Sequence, residues 1–97
     1  MTREELKEAL GRCGPRLKSE LGIAGLAVFG PVARGEAAPG SDVDILVDFD
    51  GPADFDRFME RKERLEAALG VRVDLVTRKA LRPALRRTIE REAVRVA

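Results

Sequence analysis

The chain has 97 residues, 36% of them charged and balanced to a formal +1 at pH 7. That length holds one domain, 1–97, with a single modest core, and the balanced charge excludes a generally basic nucleic-acid glove or a polyacidic tail. No apolar run approaches the roughly 18–20 residues that cross a membrane, and the charged start M-T-R-E-E-L-K-E begins a helix rather than a signal peptide, so a cytoplasmic protein is expected.

Thr2 and Glu5 have the form of a capping box. Leu6, Leu10, Cys13 and Leu17 follow at helical spacing, which predicts a helix over 2–18, bent or broken near Gly14-Pro15. Cys13, the single cysteine, is read as a small core residue on that face. Gly22 and Gly25 mark a turn before a short buried strand, Leu26 to Phe29. The chain turns sharply at Gly30, and Pro31 to Glu36 fits one helical turn, proline being at home in the first helical position. Residues 37–41 read as a loop.

Val43, Ile45, Val47 and Phe49 alternate with Asp42, Asp44, Leu46 and Asp48. That period of two predicts a strand with a core face and an acid face. Asp54 caps a helix with Phe55, Phe58, Met59, Leu65 and Leu69 on its apolar face, closed by Gly70. Val71 to Val76 is a third strand, with Asp74 on its polar face. Leu81, Leu85 and Ile89 predict a last helix with Pro83 in its first turn, and Val94 and Val96 suit a short edge strand. The expected fold is α+β, a small mixed sheet of three to four strands with helices packed on one face.

The acids carry the chemistry. There is no histidine, which excludes Ser-His and Cys-His catalysis and histidine-ligated zinc. Any metal is then a hard ion on oxygen ligands. Asp42 and Asp44 project to one side of their strand, and Asp74 joins them if the third strand pairs beside the second. Three carboxylates suit one or two magnesium ions, with manganese as the alternative, and phosphoryl or nucleotidyl transfer on a nucleoside triphosphate. A glycine turn after a buried strand offers backbone N–H groups to an anion, and Arg34 adds a charge that reaches phosphate. Taken singly these features are ordinary: an isolated D-x-D is common, and an arginine on an exposed turn is most often solvated. The combination of turn, spacing and third acid raises the functional interpretation above the bland one.

In this combination the chain resembles the DNA polymerase beta-type nucleotidyltransferase superfamily. Gly30-Pro31, ten residues, then Asp42-Val43-Asp44 has the spacing of the family's glycine-serine and D-x-D motif, and A-R-G stands within it as Ala33-Arg34-Gly35. Length and layout are most similar to the minimal nucleotidyltransferases, small stand-alone domains of bacteria and archaea. The resemblance implies that Asp42, Asp44 and Asp74 bind magnesium, with Asp74 helping to activate the acceptor hydroxyl. It implies that Gly30, Pro31, Arg34, Gly35 and Ser41 line the nucleotide site. It further implies ATP as donor, and as partner a HEPN-domain toxin that the domain neutralises as an antitoxin, transferring AMP to one of its tyrosines.

Pro31 departs from the family pattern, in which serine follows the first glycine. Proline removes a hydroxyl and a backbone N–H. Hydrogen bonds to charged groups contribute about 1.5–3 kcal/mol each, so nucleotide binding falls by roughly ten-fold to a thousand-fold if these two faced phosphate. The alternative is therefore a catalytically weak binding module that neutralises its partner by complex formation. The basic last helix, with Arg82, Arg86, Arg87, Arg91 and Arg95, is read as a solvated or partner-binding face. Nucleic acid is not favoured as a partner, because all four aromatics are Phe, three of them at expected core positions.

Overall fold

The structure, a computed structural model, describes residues 2–36, 40, 42–51 and 54–95. Its elements run α1 (Arg3–Leu21), β1 (Ile23–Phe29), α2 (Gly30–Arg34), β2 (Val43–Phe49), α3 (Phe55–Leu69), β3 (Val73–Thr77), a short 3-10 turn (Arg78–Ala80), α4 (Pro83–Glu92) and β4 (Val94–Arg95). The sheet order is β3-β2-β1-β4. β1 is antiparallel to β2 and β4, whereas β2 and β3 are parallel and joined by the α3 crossover. The expected mixed α+β sheet is what forms.

Local signals explain most boundaries. The capping box is complete: Thr2 Oγ1 accepts from Glu5 N at 3.1 Å and Thr2 N donates to Glu5 Oε1 at 3.2 Å. Helix α1 runs through Pro15 to Leu21 without the expected break at Gly14. Pro15 forgoes one backbone hydrogen bond, but Leu6, Leu10, Leu17 and Leu21 are all buried, and their packing carries the helix past it. Cys13 is half-buried against the same core. Asp54 caps α3 through Arg57 N at 2.8 Å, and Gly70 ends it in the left-handed region.

The core lies between the sheet and the pair α1 and α3. Val43, Ile45 and Val47 of β2 meet Leu10, Leu65 and Leu69 there, with Val73 and Leu75 from β3. Each fully buried leucine or valine contributes about 1.5–3 kcal/mol. No charged or polar residue is buried among the described residues.

Two helix faces differ from expectation. On α3 only Leu65 and Leu69 are buried. Phe58 and Met59 are half-buried, and Phe55 is 74% exposed. Phe55 and Phe58 line a groove of about 660 Å3 with Phe49 and Val76; Phe58 also packs against the margin of the core, whereas Phe55 stays outside it. Helix α4 buries none of its residues, and Leu85 is 52% exposed. Periodicity located both helices correctly, but it does not reveal how much of a helix the sheet can cover. No helix is long and apolar enough to cross a membrane, among the described residues.

Candidate active site

Strand register assembles the site. Phe29 on β1 is opposite Asp44 on β2, and Asp44 is opposite Asp74 on β3. Adjacent strands lie about 4.8 Å apart, so Asp44 and Asp74 stand side by side on the face away from α1 and α3. Asp42 immediately precedes β2. The register is pinned from both flanks of β3: Val43 N donates to Arg72 O at 2.9 Å, and Val73 N donates to Glu66 Oε2 at 2.9 Å. That backbone bond is the main reason the Glu66 carboxylate is held below its ordinary range, with Lys62 adding to the effect. Glu66 thus ties α3 to the start of β3, one residue from Asp74.

Asp44 is the acid that responds to its neighbours. Burial, then the negative charge of Asp74 and of Asp42, pushes the Asp44 carboxyl up to about 6, and Arg34 opposes the rise. The direction follows from half-burying an anion beside two others. Asp42 is turned toward Arg72, whose Nε lies 3.5 Å from its Oδ1, on an exposed edge. In this arrangement no three acidic or cysteine side chains among the described residues converge closely enough to hold a metal ion. The donor set still fits a hard cation, since it is all oxygen and its mutual repulsion is what a cation relieves. An exposed ion pair such as Asp42–Arg72 costs about 1 kcal/mol or less to break.

Helix α2 closes the site from the β1 side. Gly30 has φ +72°, and a Cβ built on it would overlap Asp44 Oδ2 and stand 3.1 Å from Asp44 Cγ. Both backbone conformation and space therefore demand glycine here. Pro31 occupies the start of α2 without disturbing it. Gly35 ends α2 at φ +73°, and its N–H donates to Pro31 O and Val32 O, so that amide is spent inside the turn. Arg3 Nη1 donates to Ala33 O at 3.3 Å and fastens α2 to α1. Ser41, assigned to the nucleotide site from sequence, lies outside the described residues.

Arg34 does not stand free. Its Nε donates to Glu36 Oε2 and its Nη1 to Glu92 Oε2, both at 3.0 Å. The Glu36 hydrogen bond, with Glu92 contributing, raises the guanidinium further above its ordinary value. Glu36, Glu66, Arg72 and Glu92 are therefore parts of the site that the sequence did not single out. Glu36 and Arg72 lie within two residues of motif positions, a usable signal. Glu92 lies 58 residues from Arg34, and no periodicity announces such a contact. The structure brings together Gly30, Arg34, Asp44 and Asp74, with Asp42 at their edge.

Known proteins match this chain in sequence and fold. The nucleotidyltransferase domain family matches residues 6–96. The protein adenylyltransferase MntA of Thermococcus cleftensis is 43% identical over 96 residues, covering 99% of this chain and 97% of its own. A solved minimal nucleotidyltransferase is 40% identical with a TM-score of 0.82, covering 97% of this chain and 95% of its own. A toxin–antitoxin crystal structure with AMP-PNP is 21% identical with a TM-score of 0.75, covering 90% of this chain and 72% of that one, and shares the fold. Matched over residues 6–96 and sharing its fold with a minimal nucleotidyltransferase at 40% identity, the chain belongs to the nucleotidyltransferase domain family, among its minimal members.

Proposed function

We propose that this nucleotidyltransferase moves AMP from ATP onto a protein hydroxyl, as the antitoxin of a HEPN-type toxin. The observation that carries the reading is the register pair Asp44–Asp74 held against the Gly30 turn, in a chain 43% identical to a protein adenylyltransferase. Asp42, Asp44 and Asp74 would hold magnesium, or manganese, which when bound supplies charge neutralisation for the triphosphate and lowers the pKa of the attacking hydroxyl. Asp74 is the exposed member of the pair, open to an incoming acceptor, and it takes the role of orienting that hydroxyl. The acceptor oxygen bonds to the α-phosphorus, the bond to pyrophosphate breaks, and the hydroxyl proton passes to the Asp74 carboxylate. Arg34 and the Gly30–Gly35 turn, with Ser41, take the nucleotide phosphates.

The test uses labelled ATP, magnesium and the product of the neighbouring gene. Label on that product that disappears with Asp44→Asn is expected; no label with the wild-type chain refutes the transferase reading.

Pro31 favours a second reading, in which the domain neutralises its partner by complex formation with little catalysis. It lacks the N–H and hydroxyl of the family's serine at the start of α2. Titration calorimetry with Mg-ATP separates the two. On the second reading Pro31→Ser tightens nucleotide binding by about ten-fold or more, whereas an unchanged affinity removes Pro31 as a cause of weakness.

A further inference from the structure

Helix α4 is attached in an unusual way. It buries no residue fully, and Ile89 is its one half-buried apolar side chain, so apolar packing holds it less than it holds most helices. Side-chain hydrogen bonds carry much of its attachment. Glu92 in its last turn accepts from Arg34, Glu90 accepts from Arg78 Nη1 at 2.9 Å, and Arg86 Nη2 donates to Arg78 O at 3.0 Å. Beyond Glu92, β4 adds a two-residue pairing to β1, Val94 with Val28 and Arg95 with Ala27. The tie at the C-terminal end of α4 is thus an ion pair to Arg34, which also lies within electrostatic reach of Asp44.

We propose that Glu92 is a positioning residue that sets nucleotide affinity by competing with phosphate for Arg34, and that nucleotide binding loosens the last turn of α4 together with β4. The inference rests on the proposed role of Arg34 at the phosphates. A guanidinium carries five N–H donors in one plane. Glu36 takes Nε and Glu92 takes Nη1; a bidentate anion uses Nε with Nη2 or Nη1 with Nη2, so Glu36 blocks the first fork and Glu92 the second. A phosphate that claims the Nη1–Nη2 fork must displace Glu92. Glu36 lies two residues from Arg34 and follows it, whereas Glu92 belongs to another element and must be left behind. Glu92 is also the more enclosed partner, its side chain 30% exposed against 64% for Glu36, so its release changes the surface more.

Two measurements test this, with Mg-ATP and with inorganic tripolyphosphate as probes. In calorimetry, Glu92→Gln is expected to bind both about two- to five-fold more tightly, the range of an exposed ion pair removed from competition. In hydrogen exchange, amides of residues 90–95 in the wild-type chain are expected to speed up when Mg-ATP is added. In Glu92→Gln they are fast beforehand and insensitive to it, while α1 and α3 are unchanged in both. Equal or weaker binding by Glu92→Gln overturns the competition and makes Glu92 a prop for Arg34 or a bystander. Protection of residues 90–95 on adding nucleotide overturns the loosening. If the wild-type chain binds neither probe, the nucleotide reading fails on its own; exchange of residues 90–95 that is the same in Glu92→Gln and wild type then also refutes the latch.

Discussion

Asp44 is the residue on which the most effects meet. Its half-buried carboxyl is pushed to about 6 by burial and by Asp74 and Asp42, so in the metal-free protein the folded state holds its proton more tightly than the unfolded chain does. Stability is then greatest below about pH 4 as far as this group is concerned, falls as pH rises from about 4 through about 6, and is flat above. Asp44→Asn removes the charge. It should raise metal-free stability at pH 7 by about 1–3 kcal/mol in urea unfolding, a range that allows for partial solvent screening, while it lowers nucleotidyl transfer by at least about a hundred-fold. The same shift predicts proton release on metal binding. Magnesium added at pH 6 should release a measurable fraction of a proton per chain, read from calorimetry in buffers of different ionisation enthalpy, and little at pH 8. The acids themselves were legible in the sequence as an alternation on a strand. Their mutual strain was not, because it depends on β3 lying parallel to β2 in the register Asp44 to Asp74.

At the scale of elements, the turn from β1 into α2 is the part least open to substitution. Gly30 combines a left-handed φ with Asp44 packed where a Cβ would go. Gly30→Ala should therefore cost about 1–3 kcal/mol in thermal or urea unfolding and displace the Asp44 side chain. Gly35, with open space around its Cβ position, should show the conformational cost alone. Activity would separate them, with Gly30→Ala losing transfer even where it remains folded. The need for glycine at 30 was visible as a sharp turn after a strand, but its chemical reason was not. The contact joins residues fourteen apart in sequence across two strands, and only pairing brings them together. Helix limits behaved similarly. Caps at Thr2, Asp54 and Gly70 are local hydrogen-bonding signals and were readable, whereas the continuity of α1 through Pro15 depends on leucines packing against the sheet.

For the whole molecule, stability is concentrated on one side of the sheet. Leu65 is fully buried among α1, α3 and the strands, so Leu65→Ala should cost about 2–5 kcal/mol. Leu85 on α4 is 52% exposed, and Leu85→Ala should change unfolding free energy by less than about 0.5 kcal/mol. Equal effects would contradict this division. The face carrying Asp44, Asp74 and Arg34 is left to α2, α4 and solvent, where charge pairs act beside a smaller apolar contribution that includes buried Leu46. By itself the sequence determined the approximate place of each helix and strand, the caps, the acid face of β2 and the Gly30-to-Asp44 spacing, because each depends on hydrogen bonds and periodicity within about a dozen residues. It did not determine the unbroken α1 or the start of β1, which begins at Ile23 with Gly25 inside it rather than at Leu26 after a turn. The tertiary structure alone decided that Asp74 stands beside Asp44, that Phe55 lies in a groove rather than the core, and that Glu92 holds Arg34. Those outcomes depend on strand order, sheet area and charges brought together from distant parts of the chain, and local pattern carries no record of them.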